Sequence, residues 1–489
     1  MNTDKPQPRK VIPIAESPDK TPIAPPPGAD AEMVSLYAAH KKIYPRSVTG
    51  IFSQWRWGFV FLTQIIFYGL PWLQWGERQA VLFDLDARRF YIFNLVLYPQ
   101  DFIYLTGILV IAALSLFLFT AVAGRLWCGY ACPQTVYTEI FLWLEKFTEG
   151  DRSARMRRDA GPWNTDKIRR KVAKQFLWVT LALWTGFTFV GYFSPIQQLG
   201  NEFFNGNLSG LQYFWIFFYS FATYGNAGFM REQVCLHMCP YARFQSAMFD
   251  KDTLVVTYDE ERGEPRGARS KKADPIALNL GACVDCSLCV QVCPTGIDIR
   301  NGLQYQCIGC GACADVCDTV MDKLGYARGL VKYSTENAVK EHWTKGQIVR
   351  HVLRPRILIY SGILLSILIA MGTSLALRDS FKVDAMRDRG SLGRLVSGGK
   401  IENVFRLQIM NATEQNQHFD ISAEGLPGIR VQLELADVMI ESAQSRWVSV
   451  AVQIPYDVAP AGSHPFRFVI ARKDNSETVS EKAVFIVPN

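Results

Sequence analysis

Eight of the twelve cysteines fall into two runs of identical spacing, Cys283-x2-Cys286-x2-Cys289-x3-Cys293-Pro294 and Cys307-x2-Cys310-x2-Cys313-x3-Cys317. Three thiolates at two-residue intervals wrap one corner of an iron-sulfur cube, and in two-cluster ferredoxins the fourth cysteine of each run ligates the other cluster. The spacing therefore predicts two 4Fe-4S clusters, one on Cys283, Cys286, Cys289 and Cys317, the other on Cys307, Cys310, Cys313 and Cys293. Structural zinc takes its ligands as separated pairs, a poorer match to two equal quartets. The second run closes on Cys317-Asp318 where the first closes on Cys293-Pro294, a departure that removes no ligand.

The other four cysteines make a second repeat, Arg125-Leu-Trp-Cys128-Gly-Tyr-Ala-Cys132-Pro133 and Arg231-Glu-Gln-Val-Cys235-Leu-His-Met-Cys239-Pro240. Cysteines four apart share one helical face a turn apart, close enough to hold one ion. A proline directly after the pair either breaks that helix or begins the next at its first position, where no amide donor is needed. Soft thiolates select Cu(I), zinc or iron-sulfur clusters; the plain alternative is four small apolar side chains packed in helix ends. The same spacing with the same proline, twice, favours a metal or redox site built from Cys128, Cys132, Cys235 and Cys239, provided the two motifs converge. His237 and Met238 read as packing residues.

Positioning these groups falls to a chain of mixed character. Its 489 residues are 49% hydrophobic and 13% aromatic, and long apolar runs alternate with very polar stretches, the pattern of a multi-span membrane protein with soluble parts. Residues 1–45, with eight prolines before Gly28, read as a disordered cytoplasmic tail, and no secretory signal precedes the first apolar run. Five runs, Trp57 to Trp75, Phe102 to Val122, Gln175 to Phe193, Leu211 to Phe229 and Arg356 to Leu377, approach the roughly 20 residues that cross a bilayer. Nine Lys and Arg between Arg152 and Lys174 place the loop between spans two and three in the cytoplasm, whereas Ser194 to Gly210 has none. The N-terminus and the cluster segment then face the cytoplasm, where thiols stay reduced and disulfides are not expected. The net charge of +7 is modest and carries no nucleic-acid motif.

The predicted architecture is a multi-domain membrane protein: an α-helical bundle of about five spans, a ferredoxin-like two-cluster insert, and a C-terminal all-β immunoglobulin-like sandwich. Its units are the tail at 1–45, a four-span domain at 46–250 carrying both Cys-x3-Cys-Pro hairpins, a cytoplasmic ferredoxin-like domain at 251–345, a fifth span at 346–378 and a periplasmic sandwich at 379–489. Strands are predicted at Asn403 to Met410, Trp447 to Ile454, Phe466 to Ala471 and Ala483 to Val487. Pro133 to Phe147 reads as an amphipathic helix along the membrane, Asp259 to Lys272 as a solvated linker, and the sequon at Asn411 as chance.

The stretches Trp127 to Thr135, Val234 to Gln245 and Cys283 to Arg300 resemble the cytochrome c oxidase accessory proteins called CcoG, FixG or RdxA, a likeness covering the chain from about Tyr44 to its end. The resemblance implies a bacterial inner-membrane protein that assists assembly of cbb3-type haem-copper oxidases, with two 4Fe-4S clusters and a cupric reductase activity at the Cys-x3-Cys-Pro cysteines, copper being substrate or bound ion. The implied partners are a cytosolic electron donor, a copper chaperone or transporter, oxidase subunits and membrane lipid, with monomer and homodimer both open. Two other readings stay open: a quinone-linked iron-sulfur electron-transfer subunit, and a non-enzymatic scaffold that docks oxidase subunits.

Overall fold

In the computed structural model two apolar helices, Phe102–Ala123 and Pro355–Ala376, lie side by side in opposite directions. Tyr104 Oη meets Ser374 Oγ at 3.0 Å near one end, and Arg354 Nη2 donates to the Ala121 carbonyl at 2.9 Å near the other. Twenty-two residues at ~1.5 Å each make about 33 Å, against ~30 Å for a hydrocarbon core. Their outer faces are bare hydrocarbon: Ile103, Leu109, Ile359 and Leu365 are all exposed. The described residues are 42–270, 274, 277–388, 393–433, 437–475 and 477–488; most of the tail predicted at 1–45 lies outside them.

Helices also form at the other three predicted spans: Ile51–Gly69, Thr165–Val190, and Gly210–Gly225, which continues as a π-helical turn over Asn226–Met230. Among the described residues only the antiparallel pair is both long and apolar enough to cross a membrane. The boundaries moved for local reasons. Thr165–Val190 starts ten residues before Gln175 because Asn164 Oδ1 caps it, accepting from Lys167 N at 2.8 Å. Ile51–Gly69 starts early because the carboxylate of Asp315 accepts from Ser53 N at 2.7 Å and Phe52 N at 3.2 Å, taking the place of a local cap. The amphipathic helix forms as Pro133–Glu149, but its inner face carries a buried charge. Glu145 pairs with Arg155 at 2.6 Å and Arg231 at 2.9 Å. Burial works to raise its carboxyl, and Arg231, Arg155 and Lys174 outweigh that and hold it below the usual range.

The C-terminal residues form two antiparallel sheets. One orders the strands Arg430–Leu433, Ser445–Pro455, Lys400–Asn411 and Phe381–Arg387, with Arg394–Val396 paired on the third; the other orders Val438–Ile440, Gln417–Glu424, Gly462–Arg472 and Thr478–Val487. Along Lys400–Asn411 every second side chain points inward, so that Ile401, Phe405, Leu407 and Ile409 pack against Phe466, Phe468 and Phe485. All four predicted strands are present, each longer than the pattern suggested. Asn411 is wholly buried, its Nδ2 donating to the Gln415 carbonyl at 2.7 Å, which seals the sequon inside the fold.

A small sheet of Val81–Asp84, Arg89–Ile92 and Leu95–Leu97 was not anticipated. Leu82, Tyr91, Val96 and Tyr98 bury themselves against Met410 and Ala443 of the sandwich. Beside this joint Asp101 is buried, paired with Arg378 at 2.6 Å and with Lys382. Replacing Asp101 by Ala strands the buried Arg378 guanidinium, a loss of about 3 kcal/mol. The expected outcome is faster release of a fragment near residues 379–488 in limited proteolysis, with the sandwich itself intact.

Candidate metal and redox site

Between Val255–Tyr258 and Val331–Ser334, which pair as a two-stranded sheet, lie the helices Leu288–Val292 and Ala312–Leu324. This frame gathers the eight cysteines around two cavities. Cys283, Cys286, Cys289 and Cys317 line one; Cys293, Cys307, Cys310 and Cys313 line the other, with Cys289 on the wall between them. These are the groupings named above from spacing. The remaining walls are mostly apolar, including Val256, Ile299, Met321 and Leu330, with Ser287 and Arg300 at the first cavity and Thr295 at the second, and burial pushes Cys289 up to about 11 and Cys307 and Cys317 up to about 12. Two dry pockets walled by soft sulfur donors suit the 4Fe-4S group, whose thiolates lose their protons when metal binds.

The departure at Asp318 has a structural reason. Cys293 ends a five-residue helix, so Pro294 follows without cost, whereas Cys317 lies inside a thirteen-residue helix that a proline would break. Asp318 instead accepts from Gly329 N at 2.8 Å and fastens the next turn. The charged stretch after Asp259 is anchored at its start, where Asp259 pairs with Lys332 at 3.0 Å and Arg262 Nη1 donates to the Arg328 carbonyl at 3.0 Å, and Glu260, Glu261, Glu264, Arg266 and Ser270 are exposed, as a solvated connection requires. Residues 271–272 of that stretch lie outside the described residues.

The two Cys-x3-Cys-Pro motifs fold alike, and not as regular α-helical turns. In each, the amide of the second cysteine reaches five residues back: Cys132 N to Trp127 O at 2.9 Å, Cys239 N to Val234 O at 2.8 Å. The turn is widened by one residue. In each, the second cysteine is extended and the proline opens a new helix, Pro133–Glu149 or Pro240–Met248. The hairpins meet: Gln134 Nε2 donates to the Arg231 carbonyl at 3.0 Å, and Arg125 Nη2 to the Ala242 carbonyl at 2.6 Å. Cys128 and Cys132 stand within electrostatic range of Cys235, and Cys132 of Cys239. Burial, then the neighbouring thiols, push Cys128 up to about 12 and Cys235 up to about 11.

Among the described residues no three His, Cys, Asp or Glu side chains close to single-ion spacing. The four thiols are gathered without being drawn onto one ion. Cys128 Sγ meanwhile donates to Gln245 Oε1 at 3.4 Å, and Gln245 is fully buried. His237 and Met238 are exposed.

Three residues that spacing did not single out join this site to the cavities. Arg125 Nη1 donates to the Tyr305 carbonyl at 2.6 Å and the Cys307 carbonyl at 3.3 Å. Gly129, between Cys128 and Cys132, lies so near the second run that a Cβ there would sit 2.8 Å from the Gly309 carbonyl oxygen. Tyr130 Oη reaches the Cys310 carbonyl at 3.4 Å. The one signal available was the arginine ahead of each motif, Arg125 and Arg231, both buried.

Three family models match: a 4Fe-4S dicluster domain over residues 230–336, a 4Fe-4S binding domain over 105–149, and the IG-like fold at the C-terminal of FixG over 371–488. The Nitrogen fixation protein FixG of Rhizobium meliloti is 39% identical over 442 residues, covering 83% of this chain and 84% of that protein. Protein RdxB of Cereibacter sphaeroides is 39% identical over 413 residues, 83% of this chain and 86% of its own. Protein RdxA of the same organism is 36% identical over 441 residues, 88% of this chain and 92% of its own. The Gly129 contact makes a sharp test: a methyl at that position meets backbone, so Gly129→Ala is expected to cost about 1–3 kcal/mol, read as a lowered midpoint in thermal unfolding of the full chain, with Gly129→Val lower still.

Proposed function

The chain belongs to the FixG-like family, and from that premise we propose that this iron-sulfur oxidoreductase is a membrane-bound cupric reductase, turning Cu(II) into Cu(I) for assembly of a cbb3-type cytochrome c oxidase. The observation that carries the reading is the backbone contact of Gly129 with Gly309, which joins the Cys128/Cys132 turn to the wall of the second cysteine cavity. In it Cys283, Cys286, Cys289 and Cys317 hold one 4Fe-4S cluster, and Cys293, Cys307, Cys310 and Cys313 the other. Such clusters supply one-electron relay chemistry. Copper is the substrate, held by the thiols of Cys128, Cys132, Cys235 and Cys239, and one electron converts Cu(II) to Cu(I), the state that soft thiolates favour.

The chain's own residues prepare that step. Burial keeps Cys128, Cys132 and Cys235 protonated at rest, and the Arg125 guanidinium lowers the cost of ionising Cys128 and Cys235 when metal arrives. Tyr130 and Arg125 hold the second cysteine run against the same turn. Five spans, with the N-terminus and cluster region cytoplasmic and the sandwich periplasmic, complete the proposal. Its support is the antiparallel apolar pair, one end of which carries Arg354 paired with Asp250, beyond the second Cys-x3-Cys-Pro motif, at 2.8 Å, and the other Asp101 paired with Lys382 on the sandwich strand Phe381–Arg387.

Replacing Cys128 and Cys132 together by Ala is expected to abolish copper binding and Cu(II) reduction by the anaerobically reduced protein, followed with a Cu(I) chelator, while iron-sulfur absorbance persists. Unchanged copper stoichiometry overturns the assignment. Because Cys128 and Cys235 are pushed up to about 12 and about 11, both are protonated at neutral pH and each thiol that binds copper must release its proton. Copper affinity is therefore expected to rise steadily from pH 6 to pH 9, by up to about tenfold per pH unit for each proton expelled; a flat profile would mean that no thiol proton is displaced.

A further inference from the structure

A cavity of about 350 Å³ opens between the first turn of Ile51–Gly69 and the middle of Pro133–Glu149, and Cys310 forms part of its wall. Next to it is a groove of about 470 Å³ along Val60, Phe61, Gln64 and Ile140. Trp57 and Trp143 border both, their rings edge to face at 6.4 Å, so polar cavity and apolar groove meet at one aromatic gate. Polar head and greasy flank in series match an amphiphile: a compact headgroup inside and a hydrocarbon tail along the helix toward lipid.

The polar cavity is lined by Arg46, Arg56, Lys146 and Arg155 against Glu139 and Asp151. Arg56 is buried and paired with Glu139 at 2.7 Å, and Arg155 with Glu145 at 2.6 Å. Hydrogen-bonding capacity is left over beside these pairs. Arg56 Nε and Arg155 Nε are buried donors with no partner among the described residues, and Gln64 Oε1 in the groove is a buried acceptor with none. Such groups cost free energy unless a ligand satisfies them. A phosphodiester headgroup offers acceptors to these donors but no ring to lie between the two indoles. A quinone or hydroquinone offers oxygens that accept from the two Nε donors, a flat ring suited to Trp57 and Trp143, and an isoprenoid tail suited to the groove.

We propose that this cavity and groove bind a membrane quinol or quinone, its ring between Trp57, Trp143 and the Cys310 wall and its tail along Val60 and Phe61. The proposal rests on the reading of Cys310 as a cluster ligand and of Ile51–Gly69 as lipid-facing, and it gives the electron-transfer centre a contact with the lipid-soluble carrier pool in place of a cytosolic donor.

The test uses the full-length protein in phosphatidylcholine nanodiscs with a photoreactive azidoquinone, labelled peptides being mapped by mass spectrometry. Labelling is expected within residues 51–68 and 136–147, to be competed by decylubiquinone, and to fall at least fivefold in Trp143→Ala with iron content unchanged. Arg56→Gln should show the same fall; should that buried change prevent folding, Trp143→Ala, whose side chain is half exposed, decides alone. Labelling mapped elsewhere, or unaltered in Trp143→Ala, overturns the site. Competition by phosphatidylglycerol equal to that by decylubiquinone overturns it in favour of a lipid headgroup. The copper reading fails separately: Cys128→Ala with Cys132→Ala leaves quinone labelling at the wild-type level whichever way the copper assay falls.

Discussion

Arg125 is the residue through which the parts of this protein touch. Its guanidinium, buried at the end of an apolar helix, donates to backbone carbonyls of Tyr305, Cys307 and Ala242, which belong to the second cysteine run and to the helix after the second Cys-x3-Cys-Pro motif. A planar cation with five donors in a fixed fork can bind carbonyls from separate segments at once, with less ordering for each bond than a lysine. Because the partners are main-chain atoms, the tie fixes the path of the chain and leaves its side chains free. Gly129 allows the remaining approach, and Gln245, Tyr130 and Tyr333 fill in around it.

The grouping of the eight cysteines was legible because the spacing within each run is local: three of each run line one cavity and the fourth lines the other. The sandwich was legible because inward residues alternate through Ile401, Phe405, Leu407 and Ile409. What spacing alone could not give was the widened turn at each Cys-x3-Cys-Pro motif, since a four-residue interval fits an α-turn as well as a π-turn. Nor could it give the sheet over residues 81–97, whose core partners, Met410 and Ala443, come from the far end of the chain. At Asp259 onward charge patterning marked an exposed stretch but not its anchors, Lys332 and Arg328, more than sixty residues away. Glu145 was equally hidden, a carboxylate on the buried face of an apparently surface helix, held there by arginines from two other segments.

The two antiparallel apolar helices do for the cysteine-bearing region and the sandwich what Arg125 does for the two groups of cysteines. One end of the pair is pinned by Arg354 to Asp250 at 2.8 Å, the other by Arg378 to Asp101 at 2.6 Å. The Arg378–Asp101 pin is shielded from water, where a charge without its partner is expensive, whereas Asp250 is exposed. The hydrophobic stretch between them is left to face its surroundings, so that specificity lies at the ends and permissiveness in the middle.

The cap on the helix Ile51–Gly69 has a bearing on how the chain is made. That helix is among the first segments to emerge during synthesis, yet the carboxylate satisfying its amides belongs to Asp315, 263 residues later. At roughly 5–20 residues per second a ribosome needs on the order of 10–50 s to cover that interval. Throughout that time the helix start is an open end, and it closes only once Ala312–Leu324, which carries two of the cavity cysteines, has been translated and folded. A chain in which Ala312–Leu324 fails to fold would therefore leave the start of Ile51–Gly69 uncapped, 263 residues away.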